Sequence, residues 1–257
     1  MESIEPFHEH GWLRLPQAFG PEAAAAMRDA VWAELARAGV LRDRPSTWTI
    51  ERPSHLQGLK ADPVFRKLAS PRVLGAIEAI LEGRTYEPPK DWGAFFLAFP
   101  SEEAWGVPTG GWHIDARYTS ALKPPGGVKT LALFDDVGPR GGATQILGGS
   151  HRLVHAWFQA NPPPPGARSA DMRRLLMAHP YIRDLHTAGD VDARIARFMD
   201  RAEDWDGVPL QVVEAAGVAG DVILMHPLTL HVAAPNAGKQ PRFMISGGVT
   251  LDGWGWG

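Results

Sequence analysis

Cysteine is missing from all 257 residues. That absence excludes disulfides, thiolate zinc sites, iron–sulfur clusters and a cysteine nucleophile together. Long apolar runs are missing as well, since nowhere do about 18 consecutive apolar residues occur, the length a spanning helix needs. The start, MESIEPFHEHGW, carries acids where a signal peptide would need a basic start and an apolar run. An excess of either charge is also lacking: 26 basic side chains face 29 acidic ones, for a formal net charge of −3. So even a balance argues against broad electrostatic binding to nucleic acid or to anionic membrane. The expectation is a cytoplasmic protein whose partner is a small molecule. Walker A, dinucleotide-binding, His-Glu-x-x-His and Gly-x-Ser-x-Gly patterns are absent too, which removes the corresponding phosphate, zinc-protease and hydrolase chemistries.

Turn formers, by contrast, are abundant, with 28 glycines and 23 prolines. Interior glycine or proline costs a helix about 1 or 3 kcal/mol, so this excess predicts many turns and short strands. The first 90 or so residues read as helical all the same. Pro21 opens PEAAAAMRDAVWAELARAG, whose Met27, Val31 and Leu35 form one apolar stripe before Gly39. A second helical stretch runs from Pro63 to Leu81, interrupted at Pro71. From about residue 91 the texture becomes strand-like, in WGAFFLAF, GVKTLALFDDV, GATQIL, LQVVEA, DVILMH, TLHVAA and RFMISGGVTL. PPGG, GPRGG, LGGSH and PNAGKQP separate these runs as turns. One interruption, about residues 162–206, opens with four prolines and has helical spacing. It reads equally as a lid over a site and as helices packed outside a sheet. The chain is expected to be one domain over 1–257.

His113-Ile114-Asp115 is the first chemical signal. On a strand, residues i and i+2 share a face, so both side chains can reach one metal ion. Alone the pair is weak, because chance supplies it readily and a polar surface strand explains it. GDVILMHPLTLHVAAPNAGKQPR strengthens it, offering His226, His231 and Arg242. Two imidazoles and one carboxylate on one face of iron(II) leave three positions open, as non-haem oxygenases require. Arg242 could clamp a carboxylate with two parallel hydrogen bonds, although a structural salt bridge is its plain alternative. His226 and His231 are five apart, so an uninterrupted strand would turn them to opposite faces. A hairpin centred on Pro235-Asn236-Ala237-Gly238 would set His231 and Arg242 on antiparallel neighbours, which selects His231.

In order, His-x-Asp, GGATQILGGSHR, GDVILMHPLTLHVAAPN and PRFMIS make the chain resemble the phytanoyl-CoA dioxygenase family of iron(II)/2-oxoglutarate oxygenases over about Trp92 to Leu251. The resemblance implies a mainly β fold with flanking helices, a double-stranded β-helix or jelly roll. It implies His113, Asp115 and His231 as iron ligands and Arg242 as partner of the distal 2-oxoglutarate carboxylate, with Ser246 assisting. The implied reaction hydroxylates a C–H bond with O2 while 2-oxoglutarate becomes succinate and CO2. Halogenating relatives replace the ligand carboxylate by a small residue, so Asp115 favours hydroxylation. Ile114 and Gly148 depart from the family pattern, as do Val232 and Ala233 after the distal histidine, which leaves the substrate unassigned.

Trp92, Phe96, Trp112, Arg117 and Tyr118 are the nearest candidates for substrate contact, with core packing as the alternative for the aromatics and solvation for Arg117. Gly149-Ser150-His151-Arg152 looks like a nucleophile beside a base, yet reads better as a turn closing the barrel. Two rivals stand beside the oxygenase: a cupin-like zinc or manganese isomerase or hydrolase, and a non-catalytic binding barrel. Neither needs Arg242 as a carboxylate clamp. Oligomeric state is not legible.

Overall fold

A computed structural model describes residues 3–49, 55–87, 89, 91–115, 121–164, 167 and 169–254. Helix α1 (Glu5–His10) ends on Gly11 in the left-handed conformation and leads into strand β1 (Trp12–Leu15). Helix α2 (Pro21–Arg37) starts with proline in its first turn, where the missing N–H removes no helical bond. Three short 3-10 segments follow, Pro45–Thr47, His55–Ala61 and Pro63–Leu68. Helix α3 (Pro71–Ile80) is capped by the Ser70 side chain, which accepts from the Val73 N–H. Thus Pro71 does divide the second helical stretch, as proline chemistry requires.

The strands come next: β2 (Ala94–Ala98), β3 (Gly127–Leu133) and β4 (Thr144–Gly148). Four helices interrupt them, α4 (Ser150–Ala160), α5 (Ser169–Met177), α6 (Pro180–Leu185) and α7 (Val191–Phe198). Strands β5 (Glu203–Trp205), β6 (Val208–Glu214), β7 (Val222–Met225), β8 (His231–Ala233) and β9 (Arg242–Thr250) complete the order. All pair antiparallel, in a five-stranded sheet β1-β7-β3-β9-β2 and a four-stranded sheet β5-β6-β4-β8. The chain passes back and forth between the sheets in the manner of a double-stranded β-helix, the jelly roll expected from the sequence.

Alternation along each strand sorts side chains into three cores. Leu131, Leu133, Ile223, Met225 and Met244 point inward from the five-stranded sheet to meet Ile146 of the other. The opposite face of that sheet, with Phe95, Leu97, Ala132, Phe243 and Ile245, packs on α2, α3 and the 3-10 segments. Each of the larger of these side chains, fully buried, contributes about 1.5–3 kcal/mol. The outer face of the four-stranded sheet, with Leu147, Leu210, Val212, Leu230 and Val232, carries helices α4 to α7 through Val154, Phe158, Tyr181, Leu185 and Phe198. Of the two readings of the proline-led insertion, this packing supports the layer outside the sheet.

Three expectations are corrected. The helical first third contains β1, which hydrogen-bonds to β7 at the sheet edge. Gly149-Ser150-His151-Arg152 opens helix α4 rather than forming a closing turn. Gly149 is left-handed with φ 81° and sits where an added Cβ would lie 2.3 Å from the Pro209 carbonyl oxygen, so the sequence's Gly-Gly serves a helix start. Finally, β8 and β9 are not neighbours. They belong to opposite sheets, with residues 234–241 crossing between them. Asn236 pins that crossing by donating to the carbonyls of Ala98 and Gln240 and accepting from the Gly238 N–H.

Candidate metal centre

His231 opens β8 opposite Ile146 of β4. His113 lies in no strand; a single antiparallel bridge joins it to His231. Each donates its N–H to the other's carbonyl, at 3.1 and 3.0 Å. That bridge extends the four-stranded sheet by one residue pair, and the Asp115 N–H is held 3.3 Å from the Pro227 carbonyl oxygen. The sequence argument of a shared strand face therefore succeeds through one bridge and a bend.

The two imidazoles stand 4.3 Å apart between ring centroids. His113 Nδ1 is 2.7 Å from the Gly111 carbonyl oxygen, and His231 Nδ1 is 3.0 Å from that of Thr229. A carbonyl only accepts, so Nδ1 carries the proton in both rings and each Nε2 keeps its lone pair. Those two Nε2 atoms face one carboxylate. His113 Nε2 lies 3.6 Å from Asp115 Oδ1, and His231 Nε2 lies 3.4 Å from Asp115 Oδ2. Ligand atoms of the three residues all fall within 4.8 Å of one another. Two ligands at right angles around an ion about 2.1 Å away would stand about 3 Å apart, so the donor set fits a divalent transition metal with open positions.

Electrostatics favour the ligand forms. Burial pushes the Asp115 carboxyl upward, but the Lys129 ammonium 2.7 Å from Oδ2 acts the other way and holds the group below the usual carboxylate range. Burial, and then the neighbouring His231, push the His113 imidazole down, toward its neutral state. Lys129 was not singled out from the sequence; its Nζ is 2.7 Å from Asp115 Oδ2. The signal was present, for in Gly127–Leu133 the lone charge shares the parity of inward Leu131 and Leu133.

His226 lies elsewhere. It follows β7, and a tight turn through Pro227 to Leu230 separates it from β8, so the five-residue parity argument does not apply to it. Its Nδ1 accepts from the Leu228 N–H, and its Nε2 donates to the Leu122 carbonyl. Ser150 is a second residue the sequence reading missed in this role. Its hydroxyl donates to the Leu147 carbonyl and accepts from the Leu230 N–H, fixing the backbone immediately before His231.

Arg242 and Ser246 are buried on β9, and their parity with inward Met244 places them on the barrel-facing side. Their register partners on β2 are Ala98 and Ala94, small residues that leave room beside them. Phe96, between these, pairs with Met244 on the same face and is 43% exposed. The two tryptophan candidates lie in hydrophobic layers. Trp92 is buried in the core against the N-terminal helices. Trp112 is buried beneath α4–α7, with its indole N–H on the Pro108 carbonyl. Both are large apolar groups that a hydrophobic layer absorbs. Arg117 and Tyr118 lie outside the described residues. A cavity of about 350 Å³ is lined by Glu103, Val107, Thr109, Gly110, Arg194 and Ala233, and by none of His113, Asp115, His231 and Arg242.

No curated protein matches the chain. Among solved structures, AviO1 from Streptomyces viridochromogenes Tue57 is similar with a TM-score of 0.56 and 19% identity, over 98% of this chain and 95% of that one. The epimerase SnoN, solved with Fe3+, alpha ketoglutarate and nogalamycin RO, gives 0.58 and 18%, over 96% and 82%. The carbocyclase SnoK from nogalamycin biosynthesis, described as non-heme and alpha ketoglutarate dependent, gives 0.51 and 14%, over 96% and 82%. At such identities the likeness speaks for the fold. The family profile reaches further, matching residues 7–244 and so spanning both sheets, the helical layers and the His-x-Asp and distal histidine positions. On that match the chain belongs to the phytanoyl-CoA dioxygenase family.

Proposed function

We propose that this protein is an iron(II)- and 2-oxoglutarate-dependent oxygenase that hydroxylates a C–H bond of a small organic molecule. The observation carrying this reading is the pair of histidines whose Nδ1 protons are committed to backbone carbonyls, which leaves both Nε2 lone pairs aimed at one ionised carboxylate. His113, Asp115 and His231 would hold the iron. Arg242, buried on the barrel-facing side of β9, would bind the distal carboxylate of 2-oxoglutarate, with the Ser246 hydroxyl two inward positions along the same strand assisting it. Iron with 2-oxoglutarate and O2 supplies the oxidising power for C–H cleavage. The chain orients both reactants and excludes water, with Leu131, Ile146 and Met244 lining the barrel. Phe96 offers an exposed apolar face on the same side and is the described residue proposed to touch substrate.

An epimerase and a carbocyclase are among the similar structures, so the product distinguishes hydroxylation from those outcomes. The test is twofold. Anaerobic addition of iron(II) and 2-oxoglutarate should give a visible charge-transfer band, and a metabolite screen should find compounds that stimulate succinate release. A product heavier by one oxygen supports hydroxylation, whereas an unchanged mass or a loss of two hydrogens refutes that part. Tight zinc binding without a band or succinate would favour the metal isomerase or hydrolase.

A further inference from the structure

Lys129 is a charged side chain that shares its strand parity with the inward-facing Leu131 and Leu133, beside Ile146, Met225 and Met244. Its register partners are Met225 on β7 and Gly248 on β9. Gly248 itself contributes no side chain beside the lysine stem. The ammonium reaches Asp115 Oδ2 at 2.7 Å, with side-chain exposures of 17% for the lysine and 21% for the aspartate. Burying such a pair is weak support for stability, since an apolar side chain of similar volume is often neutral or better. The lysine therefore needs a reason beyond the fold.

The two carboxylate oxygens supply one. Each faces a ligand nitrogen, Oδ1 that of His113 at 3.6 Å and Oδ2 that of His231 at 3.4 Å, but Oδ2 alone also meets the lysine. Building on the iron reading above, we propose that Lys129 is a positioning residue that occupies Asp115 Oδ2 and leaves Oδ1 as the ligand atom. Asp115 then meets the metal through one oxygen, and a position that a two-toothed carboxylate would take stays open for the cosubstrate. Arg242 does not share this task. It lies six residues along β9 from Gly248, about 20 Å of strand.

Lys129→Met removes the charge at nearly constant volume, Lys129→Gln provides a second neutral variant, and Lys129→Arg keeps the charge. Without the ammonium, repulsion toward a divalent ion falls and the second oxygen is released. Mn(II) and Fe(II) should then bind about three- to tenfold more tightly to either neutral variant. Binding of 2-oxoglutarate to the metal-loaded neutral variants should weaken by a similar factor, and Lys129→Arg should stay within about twofold of the unaltered protein on both counts. Visible bands of the Co(II)-loaded protein, recorded without cosubstrate, should change in the neutral variants and not in Lys129→Arg. Unchanged Co(II) bands, or metal affinity that falls or stays constant in the neutral variants, would overturn the role of Lys129 while leaving the iron reading intact. Failure of the unaltered protein to bind Fe(II) and 2-oxoglutarate would overturn both.

Discussion

The two histidines that the sequence offered as distal ligand differ in what their ring nitrogens already do. His231 keeps Nε2 toward Asp115, whereas both nitrogens of His226 are engaged by Leu228 and Leu122. His231→Ala should therefore abolish iron binding and succinate formation. His226→Ala should bind iron and retain turnover while lowering the melting temperature. The reverse pattern in an iron titration would show that the assignment is wrong. Arg242→Ala should weaken 2-oxoglutarate binding by about 1.5–3 kcal/mol, roughly 10- to 150-fold, with iron affinity nearly unchanged. Calorimetric titration of the metal-loaded variant checks this, and unaltered affinity would refute the clamp. Much of the site could be read beforehand because its residue types are chemically rare in combination: His113, Asp115, His231 and Arg242 announce themselves by order. Lys129 and Ser150 did not, because a lysine in a strand or a serine after glycines has many ordinary uses. Only three-dimensional register shows that one meets Asp115 and the other holds Leu230.

Among the elements, the strands were legible where length and composition agreed, as in β3, β6 and β9. Strand β1, with four residues, and β5, the charged Glu203–Trp205, were too short to carry a period. Local pattern also cannot say which sheet a strand joins, which is why β8 and β9 read as a hairpin. Where β2 begins against β9 the packing is close enough for a sharp test. An added Cβ at Gly247 would lie 2.1 Å from the Trp92 carbonyl oxygen, and one at Gly93, which has φ +104°, 1.8 Å from that of Ser246. Gly247→Ala must push the two strands apart, at a cost of about 1–3 kcal/mol. Thermal unfolding should show a midpoint lower by about 2–4 °C per kcal/mol. Since Ser246 moves with it, 2-oxoglutarate affinity should drop too. A midpoint unchanged from the unaltered protein would mean that this contact is slack.

At the scale of the whole molecule, a buried histidine cluster joins parts far apart in sequence. His151 of α4 donates from Nε2 to the His8 carbonyl of α1, and its ring lies 5.1 Å from that of His226, beyond β7. His226 also donates its backbone N–H to Gly11 and its Nε2 proton to Leu122. Burial pushes both imidazoles down, His151 to about 4 from an ordinary 6.5 and His226 well below that ordinary value, and neighbouring cations and histidines push the same way. Arg152, His8 and His10 face the first, and His155 and His8 the second. Between pH 6.5 and 4 the unfolded chain thus binds more protons than the folded one, so stability rises with pH there and is lost as pH falls. His151 alone should contribute a loss of about 2 kcal/mol between pH 7 and pH 5, with His226 adding to it. Below the folded-state value the loss levels off. Because α1, α4 and the turn before β8 share this cluster, acid should loosen all three together and release the backbone that holds His231. Denaturant unfolding at pH 7 and pH 5 measures the difference. His151→Gln, which can still donate to the His8 carbonyl but does not titrate, should be less stable at pH 7 yet lose less on acidification. If the unaltered protein is equally stable at both pH values, these histidines are not neutral and buried, and the linkage between the N-terminal helix and the metal centre fails with them.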